Sequence, residues 1–257
     1  MKFYGKRALI TGGTHGIGKA IAVNLVQRGC SVAVFSRTEK RVNETQNILN
    51  LIGQDNICLV ADVLNEDSYD YIRDQITKKW SGIDIVINNI GGGGRWGSSD
   101  ILKTDNEVWK QVYDKNLTAS MRYTKMFLPH MIKNKWGRVV TITSMYGNQI
   151  GGRPWFNIAK TAQTVLMKNL SKNKLYSSSN ITFNCVAPGA IDIPDTGWDT
   201  MKVKNPEMYK NYIDQNIPRG KLGTPQEVAN VVLFLCSEFS GLVNGACISC
   251  DGGQGHV

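Results

Sequence analysis

Seven short apolar runs recur along the chain, RALIT (7–11), SVAVFS (31–36), NICLVA (56–61), IDIVINN (83–89), GRVVTITS (137–144), NITFNCVAP (180–188) and ACISC (246–250). Longer stretches, IGKAIAVNLVQRG, EVWKQVYDKNLTASMRYTKMFLPHMIKN (107–134) and FNIAKTAQTVLMKNLSKNKL, lie between them, with apolar residues at helical spacing. Strands that alternate with helices in this way form a parallel sheet with helices on both faces, so the fold class is α/β. At 257 residues the chain is one domain by size, 1–257, without internal repeat or linker. The rhythm breaks once, between Pro188 and Pro225, where Trp198, Met201, Met208 and Tyr212 supply apolar surface. An insertion of that length predicts a lid over roughly 190–224 carrying one or two short helices.

No stretch approaches the roughly 18 consecutive apolar residues of a membrane span, and the opening MKFYGKRALI runs straight into a strand pattern. The expectation is a soluble, cytoplasmic protein with no membrane partner. Its six cysteines sit mostly in apolar runs and read as reduced packing residues. Cys247 and Cys250 form a C-x-x-C, but there is no second pair and only His256 is near, so no metal site is expected. The net charge of +9 is dispersed, without a dense basic tract, and argues for a lysine-rich surface that attracts anionic molecules rather than a nucleic-acid interface.

Gly12, Gly16 and Gly18 stand between the first strand and the first helix, where glycines let the backbone approach a pyrophosphate at the helix N-terminus. The spacing is T-G-x-x-x-G-x-G. Together with NNIG at 88–91, Asn116, Ser144, Lys160 and PG at 188–189, it closely resembles the classical short-chain dehydrogenase/reductase family, including its 3-oxoacyl-carrier-protein reductases, along nearly the whole chain. The resemblance implies a doubly wound Rossmann sheet of about seven strands and a nicotinamide cofactor. It places Gly12, Thr14, His15, Gly16, Ile17 and Gly18 at the pyrophosphate, and Asp62 with Val63 at the adenine. Asn89 and Gly91 line the cofactor side of the central strand, and Pro188, Gly189 and Ile191 lie by the nicotinamide. Asp62 and the NN pair also suit turn capping alone. The second strand ends in Ser36 and Arg37, with no carboxylate before Glu39. An acid there binds a ribose 2′-hydroxyl and an arginine a 2′-phosphate, so NADP(H) is expected over NAD(H).

In the family so resembled, a serine and a tyrosine bind the substrate oxygen and a lysine supports the tyrosine and the nicotinamide ribose. An asparagine orders a relay water. Here Ser144, Lys160 and Asn116 match, but Phe156 stands four residues before Lys160, where the tyrosine belongs. A Phe keeps the ring and loses the proton, a loss that commonly costs about 10²- to 10⁴-fold in rate. Three readings stay open: an engineered change, a natural one with a substitute acid, or a cofactor-binding protein with impaired catalysis. Tyr146, two residues past Ser144, is a candidate substitute if the strand continues that far, although Gly147 argues for a turn; a water on Ser144 and Lys160 is another. Ile193 replaces an expected threonine and leaves the nicotinamide amide to backbone near Ile191. Arg95, Trp96, Arg153, Trp155 and Trp198 are candidate walls of a pocket for an anionic or sugar-like substrate. The function expected is interconversion of a ketone and a secondary alcohol by a homo-tetramer, or failing that a dimer.

Overall fold

The computed structural model describes residues 1–53 and 55–255, so His256 lies outside the described residues. Seven parallel strands form one sheet: β1 (Arg7–Thr11), β2 (Ser31–Ser36), β3 (Ile57–Val60), β4 (Ile85–Asn88), β5 (Gly137–Ile142), β6 (Ile181–Pro188) and β7 (Cys247–Cys250), in the order β3-β2-β1-β4-β5-β6-β7. All seven expected runs are strands; those at 7–11 and 31–36 keep their full length, and the other five lose one to three end residues.

The strands bury both faces, and alternate side chains enter different cores. Ala8, Ile10, Val140 and Val186 meet α1 (Gly16–Val26), α2 (Glu39–Ile52) and α10 (Pro225–Cys236) on one side. Leu9, Val139 and Phe183 meet α3 (Asp67–Lys79), α5 (Ala119–Asn134) and α6 (Pro154–Ser171) on the other. This period-2 division of continuous apolar runs is the doubly wound α/β fold.

Strand order reverses between β1 and β4, which opens a crevice beyond their carboxyl ends, the usual ligand position in such sheets. The glycine turn after β1, the NNIG turn after β4 and the end of β5 converge there. One helical stretch read as continuous, 107–134, is divided: α4 (Asn106–Tyr113) passes through a π-helical segment, Asp114–Thr118, into α5. Between β6 and α10, α8 (Gly197–Lys204) and α9 (Pro206–Asn216) form a small helical pair around Trp198, Tyr209, Tyr212, Ile213 and Ile217. Its two ends meet, since Ile191 bridges Gly223 and Asp192 N donates to Gly223 O at 2.7 Å. The short α7 (Lys174–Ser178) precedes β6.

Candidate active site

Gly12 and Gly16 take φ of +65° and +52°, which favours glycine, and the chain thereby turns into α1. A Cβ on Gly18 would lie 2.4 Å from Gly12 O and 2.5 Å from Asn89 Nδ2, so helix and turn pack at backbone distance. Asn89 holds that turn: its Nδ2 donates to Thr11 O and Gly12 O, and its backbone N–H to Thr11 Oγ1. No side chain caps the N-terminus of α1, which leaves its first amides to a ligand. His15 beside them has its Nε2 buried without a partner, and burial holds its pKa below the ordinary value.

These residues line a cleft of about 570 Å³. Gly12, Thr14, His15, Gly16 and Ile17 form one wall, Ser36, Arg37, Asp62 and Val63 the second, and Asn89, Gly91, Phe156 and Lys160 the third. Gly18 packs behind the turn. Thr14 Oγ1 donates to Ser36 Oγ at 2.8 Å and ties the glycine turn to the end of β2. Arg37 reaches Asp62 at 3.6 Å, while Asp62 Oδ1 also accepts from Leu64 N, so one carboxylate both caps a turn and pairs the arginine. Two cations in this cleft escaped the sequence reading, Arg41 and Lys115. Arg41 lies one helical turn beyond Arg37, a signal that was available. Lys115 is placed by the π segment over the Trp96 ring, 4.7 Å from its centroid, and burial lowers its pKa. No local pattern announces that placement.

At the other end of the cleft Lys160 is buried, and its Nζ donates to Ile142 O and Gln163 Oε1, both at 3.0 Å. Burial pushes its pKa down to about 7. Phe156, one turn earlier on α6, sets its ring centroid 5.8 Å from that nitrogen. Asn116 is fully buried in the π segment, where its Nδ2 donates to Val112 O and Gly92 O and its Oδ1 accepts from Gly92 N. The side chain thus clamps the NNIGG turn.

β5 ends at Ile142, and the strand does not run on to Tyr146. Ser144 caps a 3-10 turn, Met145–Gly147, its Oγ accepting from Tyr146 N at 3.2 Å. Even so, the turn directs Tyr146 into the same cavity as Ser144. That second cavity, about 670 Å³, is lined by Ser144, Tyr146, Pro188, Gly189, Ile191, Trp198, Met201, Tyr212 and Gln254, with Arg95 at its edge. Gln254 was missed because it acts from the far end of the chain: its Oε1 accepts from Ala190 N and its Nε2 donates to Tyr212 OH. Ile193 packs against the glycine turn and lines both cavities.

Three of the five expected pocket walls are corrected. Trp155 is fully buried, its ring tilted against that of Trp109 with centroids 5.3 Å apart and clustered with Val112 and Ala159, because it neighbours Phe156 on α6 and so projects from a different side of the helix. Trp96 packs on that cluster, and Arg153 lies beside Trp155 with its Nη1 buried. Arg95 and Trp198 do line the cavity. Among the described residues no group of three metal-ligating side chains occurs, and no helix is long and apolar enough to cross a membrane.

A sheet with this switch point, this glycine turn and this serine–lysine–asparagine group defines a class, and comparison with known proteins agrees with it: the chain belongs to the short-chain dehydrogenase/reductase family, oxidoreductases that bind nicotinamide cofactors. The family profile described as enoyl-(acyl carrier protein) reductase matches residues 12–254. The chain is 34% identical to the 3-oxoacyl-[acyl-carrier-protein] reductase of Aquifex aeolicus and 31% identical to that of Escherichia coli, over 99% of each protein in both cases. Its structure is similar to that of L-sorbose reductase from Gluconobacter frateurii complexed with NADPH and L-sorbose, at a TM-score of 0.90 and 27% identity, covering 100% of this chain and 99% of that one.

Proposed function

We propose that this chain is an NADP(H)-dependent reductase that interconverts a ketone and a secondary alcohol on a small, sugar-like substrate, the segment 190–224 serving as lid. One observation carries the reading: the cleft and the second cavity adjoin, sharing the lining residues Ile17, Ile142, Thr143, Phe156, Ile193 and Thr196. The cofactor residues of the cleft and the Ser144 and Tyr146 hydroxyls of the cavity therefore lie beside one another along that shared lining. The cleft suits a phosphorylated dinucleotide, because three cations, Arg37, Arg41 and Lys115, outnumber the two carboxylates that pair them, Asp62 with Arg37 and Asp195 with Arg41, around an uncapped helix N-terminus. When bound there, the nicotinamide supplies or accepts the hydride.

The chain's own groups handle the proton. Ser144 presents its hydroxyl to the substrate oxygen, while Phe156 excludes water and donates nothing. Tyr146 lines the same cavity as Ser144 and is the phenol assigned to proton transfer. Trp198, Tyr146 and Tyr212 offer flat faces to the C–H side of a sugar, and Gln254 and Arg95 offer hydrogen bonds to its oxygens. The likeness to L-sorbose reductase supports this class. A second reading, reduction of a 3-oxoacyl chain on a carrier protein, is favoured by the bacterial relatives and by the net charge of +9.

NADPH oxidation with a panel of keto sugars and 3-oxoacyl thioesters tests both. NADPH should bind at least about tenfold tighter than NADH, a margin that Arg37→Ala removes. Tyr146→Phe and Ser144→Ala should each lower turnover by about 10²-fold or more, with Phe156→Tyr changing it little. A rise of at least tenfold in Phe156→Tyr would instead mark Phe156 as an inactivating change. Tight NADPH binding with no turnover in any of the four proteins would show a cofactor-binding protein without reductase activity.

A further inference from the structure

Gln163 lies one turn past Lys160 on α6 and is fully buried, and both ends of its amide are engaged. Its Oε1 accepts from Lys160 Nζ at 3.0 Å, and its Nε2 donates to Asn116 O at 2.9 Å. The Asn116 carbonyl is within reach because it belongs to the π-helical segment, where the widened turn directs it toward α6. An unbroken chain of hydrogen bonds thus runs from the end of β5 (Ile142 O) through Lys160 and Gln163 to the π segment, which in turn clamps the NNIGG turn through the Asn116 side chain.

We propose that Gln163 is a positioning residue, a neutral strut that fixes the Lys160 ammonium between β5 and the π segment and joins it to Asn116 without a proton path. A carboxamide bonded at both ends neither gains nor loses a proton at neutral pH, so a proton cannot pass along this line from Asn116 to Lys160. The arrangement matches Phe156. A lysine with no phenol beside it to polarise is held for the cofactor side instead, where a Cβ at Gly91 would come within 2.7 Å of its Nζ. The proton for the substrate then has to arrive from the substrate cavity. That last consequence rests on the proposed reductase reading, whereas the strut does not.

The other titratable groups facing Lys160 are the Cys185 thiol on β6 and the Lys115 ammonium on the π segment, which act on it from the sheet and from the cleft. The test reads Lys160 itself, in full-length protein without substrate, by the pH titration of its ¹³Cε resonance, assigned through Lys160→Arg. Gln163→Glu sets a carboxylate beside the ammonium and should raise the midpoint by at least about one pH unit. Gln163→Leu removes an acceptor of the charged form and should lower it. If the midpoint stays within about 0.3 of wild type in whichever variant folds while its unfolding temperature falls, Gln163 is core packing and the proposal is wrong. Because no turnover is measured, an inactive wild type would overturn the reductase reading and leave this result standing.

Discussion

Lys160 carries the largest electrostatic liability of the site. Burial lowers its pKa from 10.5 to about 7, so the folded protein holds it neutral over a range in which the unfolded chain keeps it charged. The unfolded state binds the extra proton between those values, and stability should therefore rise with pH across that window. Below about 7 both states are charged and the burial penalty is fully present. Relative to Lys160→Met, wild type should be at its greatest disadvantage below pH 7 and recover at up to about 1.4 kcal/mol per pH unit toward 10.5. Chemical denaturation of both proteins from pH 6 to 10 reads this difference, and parallel curves would show that the lysine is not desolvated as the structure has it. The i, i+4 relation of Phe156 and Lys160 was legible because it depends on helix geometry alone. Gln163 was not, since its meaning lies in a carbonyl 47 residues away. Trp155 was misread for the opposite reason: nearness in sequence to Phe156 stood in for nearness in space.

Among the elements, the turn from β1 into α1 was the most legible, because backbone constraints there act within a few residues. Its glycines differ in what they tolerate. A methyl at Gly18 meets the Gly12 carbonyl at 2.4 Å and must push α1 from the turn, at a cost of about 1–3 kcal/mol despite alanine's better helix propensity. Gly241, with φ of −55° and its nearest atom at 3.7 Å, has room for the same methyl. Thermal unfolding should show Gly18→Ala destabilised and Gly241→Ala unchanged or slightly stabilised, by about 0.4–1 kcal/mol. Equal shifts would mean that the close approach at α1 is not a constraint. The π segment, by contrast, was invisible, since residues 107–134 read as unbroken helical periodicity. The extra residue it accommodates shows only when Lys115 is seen turned into the cleft and Asn116 onto the NNIGG turn.

For the whole molecule, both cores close within one chain, yet α5 and α6 leave apolar side chains outside. Met121 is 40% exposed, and Ile158 and Val165, two turns apart on α6, are 44% and 49% exposed. A second copy packed on these faces would cover them, and we expect a homo-tetramer, with a dimer as the lesser assembly. Light scattering at micromolar concentration should give that mass, and Ile158→Asp with Val165→Asp should reduce it. A monomeric wild type would refute the assembly. Fold class was legible in full at this scale because alternation of strand and helix is a property of the entire chain, while the adjacency of its two cavities depends on contacts between segments far apart.

The helical pair between β6 and α10 departs from and returns to almost one point, where Ile191 meets Gly223. Tension or slack inside the loop therefore has no lever on the sheet: the seam transmits neither, and whatever lies beyond it can change length or composition while the glycine turn, the lysine and the serine stay in register. Inheritance can act on the two parts separately. Relatives of this chain need not share a substrate to share a chemistry, and the residues that distinguish their substrates should collect beyond the seam, on the side of Trp198 and Tyr212, rather than along the strands.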